Sequence, residues 1–159
     1  MAHLRLRAEI LGRLRRFFAQ REVLEVETPL LAAAAATDLH LRSFSTLYRG
    51  GEARRLYLQT SPEFAMKRLV AAGSGPIFQI CKAFRDGEAG GRHNPEFTML
   101  EWYRPGWDLP ALMDEVDALL REVLGTGPAA RRSYGAAVRE LAGFDPHTAT
   151  AGELRQRAE

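Results

Sequence analysis

The tightest constraint on how this chain can fold is a pair of apolar, aromatic-rich runs, Ile77 to Arg85 and Glu96 to Arg104, flanking a loop of quite different composition. Both runs read as strands. Between them lies Asp86-Gly87-Glu88-Ala89-Gly90-Gly91-Arg92-His93-Asn94-Pro95. That loop exceeds the usual hairpin connection of about 2–5 residues, and it is dense in charge and glycine. A long polar loop inside a compact domain is usually functional. Side chains alternate faces along a strand. Phe97, Met99, Glu101 and Tyr103 therefore share one face, and Gln79, Cys81, Ala83 and Arg85 share a face of the first strand. The opposite surface carries Phe78, Ile80, Phe84, Leu100 and Trp102, with Thr98 and Arg104 in the same alternation. One apolar face for a core and one polar, aromatic face for a ligand is a workable design for a binding site.

Helices surround this hairpin. Ile10, Leu11, Leu14, Phe17 and Phe18 recur at helical spacing with Arg13, Arg15 and Arg16 between them, and the pattern stops near Arg21. Val23, Val26, Thr28 and Pro29 read as extended, since the residue before a proline avoids the helical region. Ala32 to Ala36 reads as a connector or a short helix, and Leu56 to Gln59 as a strand. Thr60-Ser61-Pro62-Glu63 opens a helix: Ser61 caps it, Pro62 suits the first helical position, and Glu63 favours the positive end of the dipole. Phe64, Met66, Leu69 and Val70 give that helix its apolar surface, and Gly73 supplies a left-handed C-terminal residue. Asp108 caps the next helix, whose apolar stripe is Leu109, Leu112, Met113, Val116, Leu119, Leu120 and Val123, with Gly125 at its end. Thr126 to Arg132 is a linker, and Ser133 to Leu141 a short helix closed by Gly143. Thr150-Ala151-Gly152-Glu153 fits a capping box. The sequence stops at Glu159 barely two turns later, so the gene product is expected to continue beyond it.

Composition excludes several classes. Hydrophobic residues make up 46% and charged residues 26% of the 159 positions, a globular mixture rather than a disordered one. The formal net charge of +2 is too small, and its arginines too dispersed, to demand a nucleic-acid partner. Cys81 is the sole cysteine, so no internal disulfide can form. No apolar run approaches the roughly 20 residues that cross a bilayer, and the amphipathic start lacks a signal-peptide core; a cytoplasmic location is expected.

The residue types on the polar face suit a nucleotide together with an amino acid. An arginine holds phosphate or carboxylate through paired donors, an aromatic ring stacks on a purine, and a carboxylate pairs with an ammonium group. Taken singly, most have plainer readings. Arg85 serves equally as a surface ion-pair partner, Phe97 and Met99 as core, His93 as a solvated side chain, Glu63 as the acid of a helix start, and Cys81 as a small core residue. Glu101 is harder to dismiss, because a carboxylate between Leu100 and Trp102 on a buried strand needs a partner.

At this point a family resemblance emerges. Phe84-Arg85-Asp86 followed by Arg92-His93-Asn94-Pro95-Glu96-Phe97-Thr98-Met99-Leu100-Glu101-Trp102-Tyr103 resembles motif 2 of class II aminoacyl-tRNA synthetases of the lysyl type. Val26-Glu27-Thr28-Pro29 after an amphipathic helix resembles motif 1, the dimer-forming motif. Thr60-Ser61-Pro62-Glu63 with Lys67-Arg68-Leu69 resembles the amino-acid-binding helix of the same enzymes. Thr37-Asp38-Leu39-His40-Leu41 and Glu101-Trp102-Tyr103-Arg104-Pro105 are similar to the short paralogues that modify elongation factor P. The resemblance implies an α+β fold, a mostly antiparallel sheet with flanking helices. Residues 1–159 would be the N-terminal part of the catalytic domain, with motif 1 at about 7–31, motif 2 at about 77–104, and motif 3 absent. It implies ATP-dependent activation of lysine or β-lysine as an adenylate, transfer to a lysine of elongation factor P, and a homodimer formed through motif 1. The alternatives are a lysyl-tRNA synthetase core acting on tRNA, and a non-catalytic binding paralogue.

By the same resemblance Arg85 is the catalytic residue, bridging the ATP α-phosphate and the substrate carboxylate. Asp86, Gly87, Glu88, His93, Asn94 and Phe97 join it in ATP binding, with Phe97 stacked on adenine. Ser61, Pro62 and Glu63 bind the α-amino side of the substrate, and Glu101 and Tyr103 its distal ammonium. Lysyl synthetases usually show Asn-Glu-Gly after the arginine, where this chain has Asp86-Gly87-Glu88, so Asp86 and Glu88 both stand as candidates for the ATP-facing carboxylate. No metal ligand is expected within the chain, the Mg²⁺ ligands being placed beyond Glu159.

Overall fold

The computed structural model describes residues 1–158. The chain forms two compact units, Met1–Gly125 and Thr126 onward. The first begins with helix α1 (Ala2–Ala19). Its end is a left-handed turn at Glu22, φ 54°, where the Val23 amide donates to the Phe18 carbonyl at 3.1 Å. Strands β1 (Leu24–Glu25), β2 (Leu31–Ala32), β3 (Ser45–Tyr48) and β4 (Arg54–Leu58) follow, then helix α2 (Glu63–Ala71), the long strands β5 (Ile77–Phe84) and β6 (Glu96–Tyr103), and helix α3 (Leu109–Leu124). They make two three-stranded sheets, ordered β1-β5-β6 and β2-β4-β3. Every pairing is antiparallel except β1 with β5, which is parallel.

The hairpin register puts Gln79 opposite Glu101, Cys81 opposite Met99, Ala83 opposite Phe97, and Phe78 opposite Trp102. The two faces are those expected from alternation. The apolar one meets α1 and α3 in a cluster of Phe17, Phe18, Val23, Phe78 and Leu119, with Leu14, Ile80, Leu100 and Trp102 packed around it. Phe18 is fully buried. It stacks on Phe78 at 4.6 Å between centroids, with Phe17 edge-on at 5.3 Å and Trp102 at 5.5 Å. Removing such side chains from water stabilises the fold by about 1.5–3 kcal/mol each. Phe84 lies outside this cluster, and its amide donates to the Gln59 carbonyl at 2.9 Å.

Local signals place most helix ends. Asp108 accepts from the Ala111 amide at 2.9 Å, and Gly125 closes α3 at φ 66°. Gly73 follows α2 at φ 88°. Of the two readings of Ala32 to Ala36, the connector holds for positions 33–36, while Ala32 ends β2. Other expectations need correction. Pro62 sits at the N-cap rather than one residue later, while Ser61 Oγ still accepts from the Glu63 amide at 3.0 Å. The expected stripe of α3 holds in part: Leu119 is buried and Leu112, Val116 and Val123 are partly covered, whereas Leu109, Met113 and Leu120 are exposed, and Glu115 joins the buried side through an ion pair described below. Phe64 on α2 is exposed too, and Met66 is that helix's buried residue.

The second unit holds helices α4 (Tyr134–Ala142) and α5 (Ala151–Ala158). Ser133 caps α4 by accepting from the Ala136 amide at 3.2 Å, and Gly143 ends it at φ 73°. Thr150 and Glu153 form the capping box of α5: the Thr150 amide donates to Glu153 at 2.7 Å, and the Glu153 amide donates to Thr150 Oγ1 at 3.3 Å. Among the described residues no helix is long and apolar enough to cross a membrane.

Candidate active site on the hairpin

The polar face of the hairpin gathers two groups of expected site residues, all in the first unit. In the first, Glu101 on β6 accepts from Ser61 Oγ through Oε1 and from the Tyr103 hydroxyl through Oε2, the latter at 3.3 Å. Strand alternation puts Glu101 and Tyr103 side by side, and the turn before α2 brings Ser61 to them. Among the described residues no cationic side chain pairs with Glu101. Its hydrogen-bond partners are neutral hydroxyls, which leaves its charge uncompensated within the cluster. Burial, and then the negative charges of Glu101 and Glu63, push the Tyr103 phenol far above its ordinary value, so it stays a protonated donor. Glu63, the first residue of α2, pairs with Lys67 one turn on at 2.5 Å. Pro62 is buried beneath it.

The second group surrounds Arg85, just past the end of β5. Its Nε donates to the Thr60 carbonyl at 3.4 Å, its guanidinium lies 5.2 Å from the Phe97 ring centroid, and Nη1 is 3.7 Å from a Glu88 carboxylate oxygen. These contacts are long, and the side chain keeps 25% of its surface exposed. A cation held loosely over an aromatic ring can take an anion without first breaking a tight ion pair. Of the two candidate carboxylates, Glu88 is the one facing Arg85. Gly87 turns the chain at φ 85°, and the Asp86 amide is fixed by the Arg42 carbonyl at 2.8 Å. His93 and Asn94 stand exposed beyond a tight turn in which the Gly90 amide and His93 carbonyl bond at 3.1 Å; no contact joins them to Arg85 here.

Two other groups on this face were placed by the sequence reading but given no site role. Gln79 is 1% exposed and accepts from Thr28 Oγ1 at 3.0 Å, while its Nε2 has no partner. Its place on the polar face was legible, but its burial against Thr28 was not. Cys81 is only half-buried rather than core. Burial raises its thiol pKa, the hydrogen bond from Gln59 at 3.3 Å opposes that, and the Glu101 charge adds to it. A cavity of about 480 Å³ opens beside β5 between Arg15, Glu25, Thr28, Gln79 and Lys82. It includes none of the expected site residues.

A parallel edge strand beside a long antiparallel hairpin, with helices on the apolar face and a carboxylate and an arginine on the other, is the α+β arrangement that the resemblance implies. Residues 1–140 match the family described as tRNA synthetases class II (D, K and N), and the chain belongs to that family. It is 58% identical, over 99% of its length, to the elongation factor P–(R)-β-lysine ligase of Pseudoalteromonas translucida, covering 50% of that protein. The proteins of the same name in Haemophilus influenzae and Erwinia tasmaniensis are 53% and 52% identical, over 96% and 100% of this chain and 48% and 50% of theirs. The chain thus spans about half the length of the curated relatives it matches.

Proposed function

We propose that this chain belongs to a cytoplasmic ATP-dependent ligase. The enzyme would activate lysine or β-lysine as an aminoacyl-adenylate and pass it to a lysine side chain of elongation factor P. The observation that carries the proposal is the Ser61–Glu101–Tyr103 cluster, a half-buried carboxylate with hydroxyl donors and no cation among the described residues, on the same sheet face as Arg85 and Phe97. A carboxylate so arranged suits an ammonium group at the far end of a substrate. The names of the relatives supply the acceptor, and favour it over tRNA within a family whose description covers tRNA synthetases.

In this proposal Arg85 spans the α-phosphate and the substrate carboxylate, Phe97 stacks on the base, and His93 and Asn94 meet the outer phosphates. Glu88 is the nucleotide-side carboxylate. Glu63 faces the α-amino end, and Ser61, bonded to both the Glu63 amide and the Glu101 carboxylate, stands between the two ends. The partly exposed guanidinium and the half-buried ring fit a nucleotide. The substrate carboxylate attacks the α-phosphorus and pyrophosphate leaves, so the protein's work is positioning and charge stabilisation. Among the described residues no three His, Cys, Asp or Glu side chains gather to hold a metal ion; in this reading Mg²⁺ would be held by ligands beyond Glu159 and would share the phosphate charge. The exposed Leu24, Leu30 and Leu31 accord with a homodimer formed through motif 1.

The test is ATP–pyrophosphate exchange by the complete gene product with L-lysine and β-lysine. Arg85→Ala should lower exchange by roughly 10²–10³-fold, the scale for losing one preorganised donor to a developing charge. Near-normal exchange in that variant removes Arg85 from its role. Aminoacylation of tRNA in place of elongation factor P turns the reading toward a tRNA synthetase.

A further inference from the structure

Behind the ammonium-facing cluster lies a polar assembly that the proposed chemistry does not use. Arg104 and Glu115 form an ion pair with only 6% and 2% of their side chains exposed. Arg104 Nε donates to both Glu115 oxygens, at 3.1 and 2.9 Å, and Nη2 donates to Oε1. Trp102 Nε1 donates to Glu115 Oε2 at 3.0 Å. The remaining arm of Arg104 reaches the Arg21 carbonyl at 3.3 Å, past the end of α1, and its guanidinium lies 4.4 Å from the Trp107 ring centroid. One carboxylate on α3 thus ties down the end of β6 and, through Arg104, the segment after α1. Burying two charges is rarely favourable for stability alone, and an apolar pair of the same volume often does as well. A buried, nearly saturated ion pair is therefore better explained by what it holds in place.

Alternation along β6 shows what that is. Residues 102 and 104 point into the assembly, and residues 101 and 103 point into the site. Among the described residues β6 pairs with β5, and the side chains at and just past its end are held by Glu115. We propose that Glu115 is a positioning residue: through Arg104 and Trp102 it sets from behind the sheet where the Glu101 carboxylate and Tyr103 hydroxyl stand, and so sets recognition of the distal ammonium. This rests on the proposed amino-acid site, but its first test needs no substrate.

The variants are Glu115→Gln and the apolar pair Arg104→Leu with Glu115→Leu, which keeps the protein folded where a single change leaves a lone buried charge. In NMR spectra the Trp102 indole signal, told from Trp107 by Trp107→Phe, reports loss of the assembly. The Glu101 and Tyr103 signals should then move while those of Arg85 and Phe97 stay. In the exchange assay on the complete gene product, KM for lysine should rise roughly tenfold or more, as displacements near 1 Å do in such sites, with KM for ATP within about twofold. Folded variants whose Glu101 and Tyr103 signals stay in place overturn the inference, as does an unchanged lysine KM. Absence of exchange in the unsubstituted protein instead counts against the ligase reading, and the NMR arm still decides the positioning.

Discussion

Glu101→Gln separates binding from stability. The native carboxylate accepts two hydroxyl hydrogen bonds and has no cation among the described residues. The amide keeps its shape and one acceptor, and Tyr103 or Ser61 can rotate to accept from the new NH₂. Folding stability should therefore change by no more than about 1 kcal/mol, the net worth of one ordinary hydrogen bond. Binding is another matter. A hydrogen bond between charged groups contributes about 1.5–3 kcal/mol, and the ammonium would also lose its counter-charge in a half-buried setting. A loss of roughly 2–3 kcal/mol corresponds to about 30–150-fold weaker lysine binding. Calorimetric titration of the complete gene product, beside thermal unfolding, measures both. Norleucine, whose side chain ends in a methyl at the ε carbon and lacks the distal ammonium, is the control and should bind both proteins alike. If Glu101→Gln binds lysine within about threefold of the native protein while staying folded, Glu101 is not the ammonium partner.

Other perturbations test different layers. Glu22 holds φ 54° at the end of α1, a conformation costing a non-glycine residue about 1–2 kcal/mol. Glu22→Gly should stabilise by roughly 0.5–1 kcal/mol after glycine's extra unfolded-state entropy, raising Tm by a few degrees; an unchanged or lowered Tm contradicts it. The Tyr103 pKa is raised on folding, so the folded state holds that proton more tightly than the unfolded chain does. Its contribution to stability is complete below the ordinary value of 10.0 and declines as pH rises beyond it. Denaturant titrations should show a shallower alkaline loss in Tyr103→Phe than in the native protein, and identical slopes would sink the assignment. Phe18→Ala should cost about 3–5 kcal/mol, because it empties the centre of the Phe17–Phe78–Trp102 contacts. A cost under about 1 kcal/mol would mean that the cluster is not the core.

The sequence by itself determined whatever depends on neighbours along the chain. Asp108 with Gly125, Ser133 with Gly143, and Thr150 with Glu153 mark helix ends through hydrogen bonds and φ values that span only a few residues. Strand period alone put Glu101, Tyr103, Gln79 and Phe97 on one face and Phe78, Leu100 and Trp102 on the other. β3, exposed throughout and without a clear alternation, went unread, because its strand character comes from pairing with β4. Only the tertiary structure brought Ser61 to Glu101 across 40 positions, set Glu88 rather than Asp86 against Arg85, and packed Gln79 against Thr28. It also set Glu115 of α3 inward while Met113 and Leu120 face water. Hydrophobic periodicity put Leu112, Val116, Leu119 and Val123 of α3 on the covered side, but it weighs each residue against an averaged solvent. It could not place Glu115 among them, because that carboxylate is held by the Arg104 guanidinium from just past β6, and no pattern along the helix encodes it.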